Sequence, residues 1–115
     1  MFTEHKQRID RMLDYSIKKH PDFAVRCLTQ TESLPHIQNE LAVARAISDA
    51  EAKDGYSIQA TLNEEVLEVY EAFALGKYEE CCDELAQVAA VALRAMDWIT
   101  QHKLKETFNG KSKSP

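Results

Sequence analysis

The chain has 115 residues, enough for one domain, and a formal net charge of −5 from 19 acidic and 14 basic residues. A domain of this length buries roughly two-thirds of the surface its unfolded chain exposes, so it can hold a core without staples. The acidic balance argues against nucleic-acid backbone binding, and the chain has neither a long apolar run to span a membrane nor a secretory h-region at its start.

These features lead us to expect a cytoplasmic protein with no membrane association and no direct nucleic-acid binding. The basic residues are scattered except for Lys103, Lys105, Lys111 and Lys113, which read as a solubilising end. The three cysteines, Cys27, Cys81 and Cys82, form no C-x-x-C pair, so a zinc site is not expected. Cys81 and Cys82 are adjacent and point about 100° apart on a helix, too divergent to bridge. Both read as small core residues.

With only three glycines, three prolines and no sustained period-two alternation, the sequence reads as all-α. A first helix is predicted from about Thr3 to Lys19, with Ile9, Met12, Leu13 and Ile17 on one face, ending at His20-Pro21. The stretch Asp22 to Glu32 admits a short helical turn around Phe23 to Leu28. Ser33 is an N-cap candidate with Pro35 in the first turn, opening a helix that carries Leu34, Ile37, Leu41, Ala44 and Ile47 and stops near Lys53-Asp54-Gly55. Ser57 opens the third helix, which runs to Leu75 and ends at Gly76. The fourth starts at Lys77 or Tyr78 and continues to about His102. One helical domain over residues 1–104 is expected, with an N-terminal extension helix in 1–32, the main core in 33–103 and a disordered tail in 105–115. The short connection at Gly76 makes the last two helices a central antiparallel αα-hairpin of a helical bundle.

That hairpin carries two acidic clusters, Asn63-Glu64-Glu65-Val66-Leu67-Glu68-Val69-Tyr70-Glu71 and Glu79-Glu80-Cys81-Cys82-Asp83-Glu84-Leu85-Ala86-Gln87. On the third helix the apolar face is Ile58, Leu62, Val66, Val69 and Phe73. Glu65 lies at its edge and Glu68 about 60° further round, whereas Glu64 and Glu71 point mostly to solvent. On the fourth, Cys81, Leu85, Val88, Ala92, Ala95 and Ile99 form one apolar stripe, bordered by Glu80, Glu84 and Gln87. Cys82, Ala86, Ala89, Leu93 and Met96 form a second, so this helix is expected to be buried on both sides and to share its core within a homo-oligomer.

Across the hairpin, Glu65 and Glu68 should face Glu80 and Glu84. Carboxylates converging in this way repel unless a cation is bound, and oxygen-only ligands favour Mg²⁺ or Mn²⁺ over zinc. The competing reading is a solvated charged face, because glutamate is a good helix former.

With these residues the sequence resembles the MazG-like, all-α nucleoside triphosphate pyrophosphohydrolases, marked by E-x-x-E on one helix and E-x-x-D on the next. Glu65-Val66-Leu67-Glu68 matches the first half, and Glu84-Leu85-Ala86-Gln87 with the following Val88 to Arg94 the second. Asn39 to Ala46 is similar to the helix that precedes the family's hairpin, and the resemblance spans roughly residues 36 to 100. The family's final aspartate is Gln87 here. A shifted match, Glu80-Cys81-Cys82-Asp83, restores the aspartate but fits the following apolar run less well.

The resemblance implies metal-dependent hydrolysis of a (deoxy)nucleoside triphosphate to a monophosphate and pyrophosphate, by homo-dimers or homo-tetramers. It makes Glu65 and Glu68 the candidates to orient or deprotonate water, and Glu65, Glu68, Glu84 and Glu80 the metal ligands. Arg94, Gln87 and Lys53 become substrate-binding candidates, with Lys77 and Arg45 behind them. His36, Tyr70, Phe73 and Trp98 read first as packing residues and second as stacking partners for a base, and His5, His20 and His102 as surface residues. Gln87 leaves a second reading, a helical nucleotide- or protein-binding module without turnover.

Overall fold

The computed structural model describes residues 2–29 and 33–104. Among them there are four α-helices and no strand: α1 (Thr3–Lys19), α2 (Leu34–Glu51), α3 (Ile58–Ala74) and α4 (Tyr78–Ile99), the last followed by a π-helical turn, Thr100–Leu104. The all-α bundle expected from the helical periodicity is the fold observed. The tail expected to be disordered lies outside the described residues.

The helix ends follow local chemistry. The Ser33 hydroxyl accepts the His36 N–H at 3.4 Å and opens α2. The Ser57 hydroxyl accepts the Ala60 N–H at 3.0 Å and opens α3. Glu51, the last residue of α2, accepts from both the backbone N–H (2.9 Å) and the hydroxyl (3.0 Å) of Ser57, which ties the end of one helix to the start of the next.

At the far end of α3, Gly76 adopts φ +73°, a region costly for any residue with a Cβ. Its N–H donates to the Phe73 carbonyl (3.0 Å) and the Lys77 N–H to the Ala72 carbonyl (2.9 Å), the paired bonds of a Schellman turn. α4 starts immediately afterwards, with the Cys81 N–H donating to the Lys77 carbonyl at 2.8 Å. The tight hairpin follows from one glycine.

The chain forms two compact units. One is Ala24–Val91, holding α2, α3 and the first part of α4. The other joins the described residues 2–23 with 92–104, and so holds α1, the end of α4 and the π-helical turn. In the first, α2 packs along α3 and brings Ile37, Leu41 and Ala44 inside. Ile37 and Leu41 are the largest fully buried side chains, each contributing about 1.5–3 kcal/mol. Val69 and Ala72 of α3 and Cys81 of α4 form a second buried group, flanked by Tyr70, Phe73 and Val88. The Cys81 thiol donates to the Val69 carbonyl at 3.4 Å and is pushed above its usual pKa by burial.

Four sequence expectations are corrected. Cys82 is exposed, because it lies about 100° round α4 from buried Cys81 and no element of its unit covers that side. Ala86 and Ala89 are exposed with it, and Leu85 of the first stripe is half exposed, so α4 is not buried on both sides within one chain. His5 is buried rather than superficial: its ring is held by Asp97, Nε2 to Oδ1 3.5 Å, which supplies the partner a buried polar group needs. No helical turn forms at Phe23 to Leu28. Phe23 and Val25 there are 85% and 93% exposed, so nothing buried repays the entropy of ordering a turn.

Candidate metal centre

α3 and α4 antiparallel across Gly76 place Glu65 and Glu68, one turn apart on α3, against Glu84 on α4. One carboxylate oxygen from each lies within 4.8 Å of the other two. All three side chains are partly buried, at the border of the apolar face that holds Val69, Ala72 and Cys81. Glu65 Oε2 and Glu84 Oε2 are shielded from solvent and have no hydrogen-bond partner. A buried oxygen without a partner is costly, and here two of them belong to carboxylates that also face each other.

The electrostatics record this crowding. Burial raises the Glu65 carboxyl above its ordinary pKa, and the charges of Glu84 and Glu64 push the same way. Glu68 is pushed up to about 7, first by burial, then by its contact with Glu84 and the charges of Glu65, Glu84 and Glu64. Among the described residues, Arg45 of α2 is paired with one of these groups, its Nη2 3.7 Å from Glu68 Oε1. At that length, with the arginine half in solvent, the pair does not reverse the upward shift.

A divalent cation suits the donors. The set is all oxygen, it carries excess negative charge, and its inward oxygens lack partners. Glu65, Glu68 and Glu84 are the residues that would hold it.

The remaining sequence candidates lie outside the converging group. Glu80 is exposed, its Oε2 4.0 Å from Lys77 Nζ, and is not one of the three converging carboxylates. Gln87 is exposed on α4, Lys53 is exposed just after α2, and Arg94 is exposed on the part of α4 that belongs to the other unit. Glu64 and Glu71 are partly buried, not fully solvated as their wheel positions imply.

The aromatic candidates are engaged in packing. The Phe73 ring lies 5.2 Å from that of Tyr78, and Trp98 stacks on His102 at 4.5 Å. His36 is paired with Glu40 at 3.1 Å. The sequence ranked Arg45 below Arg94, yet a signal for it was present: it lies one turn after Leu41, at the edge of the stripe that α2 lays on α3.

Two cavities bear on the site. A small one, about 210 Å³, opens beside the carboxylates and is lined by Arg45, Glu68, Glu71, Lys77, Glu80 and Glu84 among others. A larger one, about 480 Å³, lies between α2 and α3 against Val43, Ile47, Asn63 and Leu67, and none of the three converging carboxylates lines it. Size favours the second, but two of the converging carboxylates, Glu68 and Glu84, line the first. No described helix is long and apolar enough to cross a membrane. Comparison of the chain with family models, with curated proteins and with solved structures gives no match.

Proposed function

We propose that this chain is a divalent-cation-dependent hydrolase of (deoxy)nucleoside triphosphates, using Mg²⁺ or Mn²⁺ and releasing a monophosphate and pyrophosphate. The observation that carries the reading is the convergence of Glu65, Glu68 and Glu84, with two shielded oxygens that lack partners. The MazG-like pattern, E-x-x-E at Glu65 to Glu68 followed by Glu84 on the next helix, supports it. A bound divalent ion supplies neutralisation of phosphate charge and a lowered pKa for water. Glu65 or Glu68 would orient or deprotonate the attacking water, with Glu84 as a shared ligand of the ion.

We place the protein in the cytoplasm as a homo-dimer or homo-tetramer. Exposed apolar side chains favour assembly: Met12, Leu13 and Ile17 on α1, each more than half exposed, and Leu85 beside Cys82, Ala86 and Ala89 on α4. The alternative, a nucleotide- or protein-binding module without turnover, draws on Gln87, which stands where the pattern has an aspartate and lies exposed.

Two experiments separate these readings. Melting curves with and without Mn²⁺ should show a raised midpoint for the wild-type chain and a much smaller rise for Glu65→Gln. Pyrophosphate release from a panel of nucleoside triphosphates should then appear with metal and vanish in Glu65→Gln. A midpoint that ignores Mn²⁺ sinks both readings, and a shifted midpoint with every triphosphate left intact leaves the binding module.

A further inference from the structure

Arg45 is paired with one of the three carboxylates that a cation would engage. Its guanidinium reaches Glu68 Oε1 at 3.7 Å and also forms part of the wall of the 210 Å³ cavity. The side chain is 52% exposed, so it can leave Glu68 without unpacking the α2–α3 core. That cavity wall carries two cationic side chains, Arg45 and Lys77, against four glutamates, Glu68, Glu71, Glu80 and Glu84. Glu65, the third converging carboxylate, adds to that excess of negative charge. Until a cation is present the cavity repels anions; a divalent ion would offset most of the excess and release the N–H donors of Arg45 toward the rim. Arginine suits that position because its planar donors match two oxygens of a phosphate at once.

We propose that Arg45 is a phosphate-binding residue held in reserve by Glu68: it is the counter-ion of Glu68 while no cation is bound, and it turns to the pyrophosphate portion of the substrate when a cation displaces it. This inference rests on the metal-dependent reading above. Lys77 serves as the internal contrast, since it lines the same cavity but pairs with Glu80, which is not one of the three converging carboxylates.

The two roles of Arg45 pull in opposite directions, which makes them measurable. Calorimetric titration of the purified full chain with Mn²⁺ alone should show Arg45→Ala binding the ion about two- to fivefold more tightly than wild type, because a competitor for Glu68 is gone. Titration with magnesium-saturated inorganic pyrophosphate should show the same variant binding about tenfold or more weakly, because a charge-assisted donor is gone. Arg45→Lys should recover part of the second loss, and Lys77→Ala should raise Mn²⁺ affinity less than Arg45→Ala does, because Lys77 competes for none of the three carboxylates. Helical circular dichroism and the melting midpoint confirm that the variants fold. Weakening of both ligands in Arg45→Ala, or a change in neither, overturns the proposal while leaving the metal site standing. If the wild-type chain binds no Mn²⁺, the metal reading and this one fall together.

Discussion

Glu68 allows the candidate centre to be tested by stability alone, without a substrate. Its carboxyl stands near 7 in the folded chain against 4.5 for an ordinary glutamate, so the fold holds that proton more tightly than the unfolded chain does. The stability linked to this group is therefore complete below about pH 4.5 and is lost as the pH rises through about 7. A rise from 4.5 to about 7 corresponds to about 3 kcal/mol for a fully buried, isolated group. Partial exposure and the sharing of protons among neighbouring carboxyls reduce it to about 1 kcal/mol.

Glu68→Gln is nearly isosteric and never charged. It should match the wild type near pH 4 and exceed it near pH 8 by about 1 kcal/mol, or about 3–6 °C in melting midpoint for a chain of this size. Millimolar Mn²⁺ should reverse the order near pH 8, since the ion needs the ionised carboxylate and stabilises only a fold that binds it. Thermal melts followed by helical circular dichroism at the two pH values, with and without Mn²⁺, give all four comparisons. If Glu68→Gln is destabilised equally at both pH values, or if Mn²⁺ moves both midpoints alike, the reasoning about this cluster is wrong.

Other perturbations test the scaffold. Leu41→Ala empties a fully buried position between α2 and α3 and should cost about 2–5 kcal/mol in denaturant unfolding. Ser57→Ala removes the cap of α3 and a hydroxyl that Glu51 accepts from; a loss of about 1 kcal/mol is expected, and a neutral result would show that the Glu51 contact contributes nothing. Gly76→Ala places a Cβ at φ +73° and should cost about 1–2 kcal/mol, although the space around it is open, so the loss measured is backbone strain alone. Thiol labelling reads assembly: Cys27 should react at once and Cys81 only on unfolding, while Cys82 should react at once in a monomer and be protected where a second chain covers that face of α4.

Local rules accounted for the helices because each end is made by its neighbours in sequence. Ser33 and Ser57 supply the missing acceptors, Pro35 sits where its lost N–H is harmless, and Gly76 takes a backbone angle other residues resist. Periodicity likewise placed Glu65 and Glu68 at the border of an apolar face, since residues one turn apart share a side in any α-helix. The segment Phe23 to Leu28 shows the limit of such reasoning. Its apolar residues suggest a turn, but a turn forms only where something receives them, and Phe23 and Val25 remain in solvent.

The amino-acid sequence by itself determined the four helices, the hairpin and the two acidic side chains that α3 presents, because these depend on contacts within a few residues. Only the tertiary structure decided that Glu84 rather than Glu80 completes the group, that Arg45 answers Glu68, that Cys81 is buried while Cys82 is not, and that His5 finds Asp97. Each of those depends on the distance and rotation between helices, and small changes in how two helices pack exchange one turn's side chain for the next.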